Sequence, residues 1–530
     1  MKTKHSHNYR QRYKSKAWEE YEAGKEYKRK IGLYETVRSN ERFYRGDQWY
    51  ASSAEDLPKP VFNIIRRIAD YLICSVASSD ISIHYTAENL PFIEKKSDSE
   101  KLRSYLDSIN KNAAFRWEKN GMQRKIYDAL TDAAISGDGV FFCYWDPSAN
   151  GTQEFRGDIA TEVIDNVNLF VSDVNVSDIQ SQEYVILAGR KSASALQQEA
   201  REHGVAEDEI KKITPDKADR TQSGYLSDYE LECEGSEKAT YLIKFWKEDG
   251  KVVFEKSTRD CVIYRAATEC KLYPIAYFNW YSTKNSFHGT APVTSLIPNQ
   301  KYINRAYSLA MKHMTDSAFS KVIYDKSRIP EWSNGVGEAI AANGGGNIAD
   351  SVSVLGVGQM QDKYLELISS TLDTTKDLMG ATESALGGEQ ARNTSAILAL
   401  QETSRIPLKQ VRSSFHKCIE ELANIWIDMM CAYYPSERLL VSAAGDEMTT
   451  HSIDFSTLKS AALCARVDIA EVNSFSAASS QNMLDKLLEG GYITPAEYLR
   501  RIPSGLICER EGLIETLTQR NSKGDDIYVE

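Results

Sequence analysis

The chain has no excess of positive charge, no paired cysteines, no long apolar run and no catalytic signature. Each absence removes a class of function. Lys and Arg number 64 against 75 Asp and Glu, a formal net charge of −11 over 530 residues. A protein that grips DNA tightly usually carries the opposite sign, so global attraction to nucleic acid is not the design. The nine cysteines are Cys74, Cys143, Cys233, Cys261, Cys270, Cys418, Cys431, Cys464 and Cys508. They are scattered, odd in number and mostly set among apolar residues, and none forms CxxC. Free buried thiols in a reducing compartment are expected, not a disulfide or metal framework. No run approaches the roughly 18 apolar residues of a membrane span. The most apolar long segment, ANIWIDMMCAYY, is interrupted by Asp428. The first residues, MKTKHSHNYRQRYKSK, have no apolar core, so no secretory signal is expected. A soluble protein made in a cytoplasm follows.

Catalytic patterns are equally scarce. Gly344 to Gly346 is not followed by Gly-Lys-Ser/Thr, so it reads as a turn and not as a phosphate loop. HExxH is missing. His5 and His7 stand in the basic tail, and His288, His313 and His416 lie far apart. Asp173 and Asp178 have no partner base or nucleophile and read as turn aspartates. No catalytic residue, metal ligand or cofactor is expected. A metal-dependent nuclease needs no local pattern, because its carboxylates can be scattered, so that reading stays as the alternative. A virion adaptor or scaffold without a channel is the other.

What is present is a folded composition, 42% hydrophobic and 26% charged, in a chain long enough for several sub-domains. Residues 1–30 are basic, ten Lys or Arg against four Glu, and read as a solvated tail leading into a helix from near Ala17 toward Phe43. Gly46-Asp47 stops that helix. Pro58 and Pro60 open another, with Val61, Ile64, Ile65, Ile68, Leu72 and Ile73 at helical spacing. Ile81 to Thr86 alternates as a strand. Residues 98–136 are helical again, and Ser136 to Gly139 is a turn. Val140 to Tyr281 then reads as a strand-rich α+β lobe with one helix, SASALQQEAREHG. Val205 to Lys238, with ten acidic and five basic residues, reads as an exposed loop or insertion. After Pro435, LLVSA and ARVDIA are short strands placed to rejoin that lobe. Asn482 to Glu489 is helical up to Gly490-Gly491. Thr494-Pro495-Ala496-Glu497 is a capping box with Pro at the first helical position. A small C-terminal helical module spans about Ser474 to Gln519.

The middle of the chain has a different rhythm. A helical run from Thr294 to Phe319, roughly 40 Å long, carries a narrow stripe: Leu296, Ile303, Tyr307, Ala310 or Met311, Met314 and Ala318. Asp362 to Met379 carries a matching one: Leu365, Ile368, Leu372 and Met379. Narrow stripes on long helices need a partner along their length. Each other is one such partner; neighbouring subunits are another. The insert between them, Tyr324 to Gly358, reads as strand KVIYD, a helical piece GVGEAIAANGG and strand SVSVLGVG. It is too small to bury its own core and must pack on something else. A small-residue loop, Gly380 to Ser395, is longer than a helix hairpin needs and so is expected to be mobile or functional. A third run, Ala396 to Tyr434, has its own stripe, Leu408, Val411, Phe415, Ile419, Leu422, Trp426 and Met429. Pro407 predicts a kink near Thr403 to Pro407.

NERFYRGDQW followed by LPKPVFNIIRRIADYLI, then GTAPVTSLIPNQKYIN, then GATESALGGEQARNTSAILALQE, in that order and spacing, resemble the portal (connector) proteins of tailed bacteriophages. The likeness covers about Tyr34 to Tyr434 and weakens at both ends. It implies an α+β, portal-like fold. Residues 1–290 would be the N-terminal tail and strand-rich wing. Residues 291–320 and 360–379 would be the stem helices, and 321–359 the small α/β clip between them. Residues 380–395 would be the tunnel loop, 396–473 the kinked long helix and return to the wing, and 474–530 the helical C-terminal crown and tail. It further implies a homo-oligomeric ring, usually of twelve subunits, at the capsid vertex of a virion assembled in a bacterial cytoplasm. Double-stranded DNA would pass through the channel during packaging and ejection. The terminase large subunit, a head-tail adaptor, and the major capsid and scaffolding proteins would be partners, with no membrane. The tunnel loop would present Glu383, Leu386, Gly387, Gly388, Glu389, Gln390, Arg392 and Asn393 to DNA. The clip would present Lys321, Asp325, Lys326, Arg328, Glu331, Trp332 and Glu338 to motor and adaptor. A net-acidic conduit avoids the tight, counterion-releasing grip of a basic one, while an isolated cation such as Arg392 guides phosphates.

Overall fold

Two helices begin the described chain, the first lying on a sheet and the second on other helices. The computed structural model describes residues 16–50, 56–77, 79–88, 96–149, 157–216, 237–318, 321–333, 339–355, 362–381, 406–435, 437–444, 447–459, 463–471, 483–502 and 513–514. The expected helix from Ala17 to Phe43 is divided into Lys16–Lys30 and Leu33–Arg45. Gly32, at φ 67°, makes the break, a left-handed conformation that glycine reaches without strain. The second helix stops as expected at Gly46, φ 96°, whose N–H returns to the carbonyls of Arg42 and Phe43. Lys28 is 2% exposed. Its ammonium donates to the carbonyls of Asn166, Val167 and Leu169 at 2.7, 3.0 and 2.6 Å, bolting the first helix to the body.

The strands form several antiparallel sheets. β1 (Ser79–Ala87) pairs with β14 (Leu463–Glu471). β2 (Asp138–Asp146) lies between β3 (Asp158–Val163) and β9 (Ile275–Asn279). β4 (Leu169–Val171), β5 (Tyr184–Ser192), β6 (Lys238–Glu248), β7 (Lys251–Ser257) and β8 (Val262–Ala267) make a five-stranded meander. β10 (Lys321–Tyr324) pairs with β11 (Val352–Leu355). β12 (Glu437–Ala444) pairs with β13 (Glu447–Asp454). The strand-rich lobe is therefore present where the alternation placed it, with β3 as an added member. The return strand β14 joins β1 and not the meander. The segment from Val205 is not all exposed loop. Ile210 and Ile213 are 1% exposed and pack with Leu196, Ala200 and Ile263, because their apolar side chains close the gap under helix Ala193–Glu202. Residues 217–236 of that segment lie outside the described residues. Asp173 and Asp178 are turn aspartates, accepting from the Asn175 and Gln180 N–H groups at 2.9 and 3.2 Å.

Helix Lys409–Tyr433 is the axis of the core. The expected stripe is buried throughout, from Leu408 and Val411 to Trp426 and Met429. Ile425, Ile427 and Met430 on the other flank are buried too, because β2, β9 and β14 pack around the helix. Each such aliphatic or aromatic side chain contributes about 1.5–3 kcal/mol by leaving water. At the end of this helix Tyr434 and Arg116 hold Asp158. Arg116 donates to the Tyr434 hydroxyl at 2.7 Å, and that hydroxyl donates to Asp158 at 2.9 Å. Burial pushes the Asp158 carboxyl up, but Arg116 and Lys119 prevail and hold it at about 2. Cys143, Cys261, Cys270 and Cys418 are free and buried, as expected, whereas Cys74 is free and exposed. No helix among the described residues is long and apolar enough to cross a membrane. Near the C-terminus, helix Pro495–Arg501 has the capping box read from Thr494 and Glu497.

Candidate functional site: a two-helix limb and its buried root

Helix Pro292–Ala318 is 27 residues, about 40 Å long. Helix Asp362–Leu378, 17 residues, returns along it. Ile303, Ala306, Ala310 and Ile368 are buried between them. Asn299 Nδ2 donates to Thr375 Oγ1 at 3.2 Å and the Tyr364 hydroxyl to the Ala306 carbonyl at 3.4 Å. The two alanines let the helices approach closely. Only part of each expected stripe is used. Met314 is 65% exposed and Leu365 53%. Both point away from the pair, so packing of one helix on the other does not cover them.

The root of the limb is polar and buried. Gln300 and Asn304 are 2% and 3% exposed, one helical turn apart on one face. Gln300 Nε2 donates to Asn304 Oδ1 and to the Phe62 carbonyl, both at 2.8 Å, while Gln300 Oε1 accepts from the Ile64 N–H at 3.1 Å. Asn304 Nδ2 donates to Gln48 Oε1 at 2.7 Å, and Gln48 donates onward to the Phe43 carbonyl at 3.1 Å. Ser308 Oγ reaches the Pro58 carbonyl at 2.7 Å. Nearly two turns before Gln300, Asn40 Nδ2 donates to Thr294 Oγ1 at 2.8 Å and to the Ile135 carbonyl at 2.7 Å. NERFYRGDQW, VFNIIRR and GTAPVTSLIPNQKYIN therefore meet at one seam. Replacing Asn304 by Ala leaves the amides of Gln48 and Gln300 short of partners. A loss of about 1–3 kcal/mol is expected, read as a lower denaturant midpoint with an unchanged slope.

Just before the limb stands a second polar centre, which the sequence reading took for a simple turn. Asp138 is fully buried at the start of β2. Its Oδ1 accepts from Asn279 Nδ2 and the Gly289 N–H at 2.9 and 2.8 Å. Its Oδ2 accepts from Asn166 Nδ2 at 2.9 Å and lies 2.7 Å from His288 Nδ1. Burial pushes this carboxyl up, but His288 and the hydrogen bonds outweigh it and hold it below its ordinary value. An ionised carboxylate only accepts, so His288 Nδ1 carries the proton. Gly137 makes the crossing possible. At φ 100° it lies so close to the Gly289 carbonyl that a Cβ would sit 2.6 Å from that oxygen.

The insert at the tip is held by little of its own. Asp325 caps the turn after β10, accepting from the Ser327 N–H at 2.9 Å. Trp332 stacks on Tyr324 with ring centroids 5.3 Å apart. Arg328 donates to the Asn347 carbonyl at 3.3 Å. Ile329 is buried, yet Ile323, Ile348 and Val354 are 55%, 67% and 58% exposed. The helical piece expected near Ile340 is absent among the described residues 339–347, and a single 3-10 turn stands at Ile348–Ser351.

The sequence-derived residues fall into two groups. Lys321 opens β10, and Asp325, Lys326, Arg328, Glu331 and Trp332 follow it on the insert. Glu338 lies outside the described residues, as do Glu383, Leu386, Gly387, Gly388, Glu389, Gln390, Arg392 and Asn393. Pro407 does not sit inside a described helix. It occupies the 3-10 turn Ile406–Leu408 from which helix Lys409–Tyr433 starts, and the rest of the expected kink, Thr403 to Arg405, lies outside the described residues. Among the described residues no group of three His, Cys, Asp or Glu side chains is placed to hold a metal ion.

Residues 247–447 match the family described as Phage P22-like portal protein. That span holds the limb, its insert and the central helix, and the portal resemblance read from the sequence is borne out there. No curated protein sequence matches. Two of the similar solved chains come from gene transfer agent (GTA) particles. One is from the neck of an empty particle computed with C6 symmetry, at TM-score 0.39 and 8% identity, over 83% of this chain and 90% of that one. The other is from the virion of a native particle, at TM-score 0.36 and 8% identity, over 83% and 89%.

Proposed function

We propose that this chain is a portal subunit. Copies form a ring at one capsid vertex, with a channel for double-stranded DNA during packaging and ejection. The insert at the limb tip is the docking platform for the terminase motor and, later, for tail adaptors. The observation that carries the reading is the portal family match over residues 247–447, the span that contains the limb. The exposed apolar residues of limb and insert support it, since apolar surface clustered on a narrow element calls for a partner. Two helices with an insert are the stem and clip, and 380–395 is the tunnel loop. The ring needs no chemistry of its own: it guides a polyanion whose passage a strongly basic wall would arrest. Electron micrographs of the purified protein test the reading. Rings with a central hole are expected; monomers or filaments alone would overturn it. Replacing Arg392 by Ala is expected to lower DNA packaging while leaving ring formation intact. Loss of rings in that variant would assign Arg392 to assembly instead.

A further inference from the structure

The limb carries charge in two stripes of opposite sign. On the outgoing helix Pro292–Ala318, Lys301, Arg305 and Lys312 follow at i, i+4 and i+11. At about 100° per residue they share one face. That face is nearly opposite the line of Ile303, Ala306 and Ala310, which is buried toward the returning helix. On the returning helix Asp362–Leu378, Glu366, Asp373 and Asp377 follow at i, i+7 and i+11. They lie half a turn round from Ile368 and Thr375, which are buried toward the outgoing helix. Each stripe therefore points away from its partner helix, and the limb has one cationic and one anionic edge.

The subunit neutralises these edges only in part. Lys312 pairs with Asp316 at 3.6 Å and Lys376 with Asp373 at 3.3 Å. The Lys301 ammonium lies 5.5 Å from the centre of the Phe43 ring. Arg305, Glu366 and Asp377 are exposed, and among the described residues none of them has an ion-pair partner. Apolar side chains stand among the charges. Tyr302 and Leu309 are exposed on the cationic edge, Leu367 and Leu378 on the flank of the anionic one. A wall that faces only water or DNA gains nothing from exposed leucines, whereas an interface uses them to exclude water around its ion pairs.

Hydrogen bonds inside the limb set the height of one helix against the other. Asn299 meets Thr375, and Ala306 meets Tyr364. Arg305 is then at about the height of Glu366, and Lys301 at that of Asp373, on opposite edges. A second copy turned about an axis running along the limb keeps these heights, so its anionic edge meets the cationic edge of the first with both pairs in register. A two-fold contact of one edge with itself would set like charge on like charge. Opposite signs on two different edges suit a head-to-tail contact, the kind that closes into a ring.

We propose that the cationic edge of each limb docks on the anionic edge of the next copy of this chain, Arg305 against Glu366 and Lys301 against Asp373. The inference rests on the portal reading for its ring and names the surfaces that join the limbs.

A charge-swap cycle on the full-length protein, followed by analytical ultracentrifugation, tests it. Arg305→Glu and Glu366→Arg should each raise the concentration at which rings half-dissociate by at least about tenfold, because a reversal sets like charges together in a dewatered contact. The double variant restores the pair with its sign inverted and should return to within about threefold of wild type. All the subunits should melt alike, since these positions are exposed. If one of these variants unfolds, Lys301→Glu with Asp373→Lys makes the same test on the neighbouring pair. Wild-type rings that both single variants leave unchanged would overturn the inference while the portal reading stands. Single variants that break rings without rescue in the double would assign the two residues to separate contacts and overturn the pairing. Wild-type protein that forms no rings would overturn the portal reading, and this inference with it.

Discussion

Asp138→Ala should lower the unfolding free energy by about 3–5 kcal/mol, the range for stripping one partner from a buried charged network. Each carboxylate oxygen serves two donors, Asn279 and Gly289 on one, Asn166 and His288 on the other. Alanine takes that acceptor from all four in a place water does not reach, and leaves Asn166 only its bond to the Ser136 carbonyl and Asn279 its bonds to the Tyr277 hydroxyl and the Phe287 carbonyl. Asp138→Asn keeps the shape but only one oxygen, and its NH2 then faces two donors. It should lose roughly half as much, about 1.5–3 kcal/mol, as for a charged hydrogen bond removed. The acid limb separates this from a simple packing loss. The folded carboxyl lies below its ordinary value of 3.8. Its contribution is therefore fully present above the unfolded value and is lost as pH falls through the folded one. The Asn variant should lack that part of the slope below about pH 4. Denaturant melts of both proteins from neutral to acid pH make the comparison. An Asn variant with the wild-type acid slope would show that Asp138 is not the titrating anchor. Gly289 stands three residues before Pro292, so the variant should also loosen the limb at its base.

Asp138 shows where sequence reasoning ended. Ser136 to Gly139 looks like any turn, because the groups that make its aspartate special are 28, 141, 150 and 151 residues away. Gln300 and Asn304 read as polar residues between the apolar positions of a helix. They are buried because their acceptors and donors arrive from residues 43–64. The one local signal was two amides four residues apart on a helix that otherwise had a clear stripe. Features whose physics is local were legible: Gly46 as a stop, Thr494 and Glu497 as a cap, the alternation of the strands. The central helix was legible because its apolar face is wide. The break at Gly32 was missed because the apolar period runs on through Leu33 and Val37 on the far side. Ile210 and Ile213 were missed because two apolar residues in an acidic segment carry no period. The motifs that suggested the family were noticed for their order. For the first three of them the seam gives a physical reason, since Asn40 bonds to Thr294 and Gln48 to Asn63 and Asn304 across it, and Gln300 to Asn304 within it.

The limb carries the other large expectation. Met314, Leu365 and Leu367 are 65%, 53% and 51% exposed, and they lie toward the tip, where Met314 is near the end of the outgoing helix and Leu365 near the start of the returning one. If the portal reading holds, neighbouring limbs cover these side chains in the ring. Burying each at an interface is worth about 1.5–3 kcal/mol, and glutamate there adds a desolvated charge instead. Met314→Glu combined with Leu365→Glu should thus weaken each contact by at least about 3–6 kcal/mol, taking two such side chains. At 1.4 kcal/mol per factor of ten, that is roughly 10²- to 10⁴-fold. Rings should give way to monomers in analytical ultracentrifugation. The subunit itself should melt within about 0.5 kcal/mol of wild type, because exposed positions outside the root contribute little to folding. The two readouts must part for the interpretation to hold. Rings at the wild-type proportion would mean that these residues face the channel or the outer surface. A subunit that unfolds would mean that the limb is packed on its own body more tightly than its exposed side chains indicate. The root variants should behave in the opposite way. Asn304→Ala lowers the stability of the subunit first and affects the ring only through it, so the pair of experiments separates the part of the limb that belongs to the fold from the part that belongs to assembly.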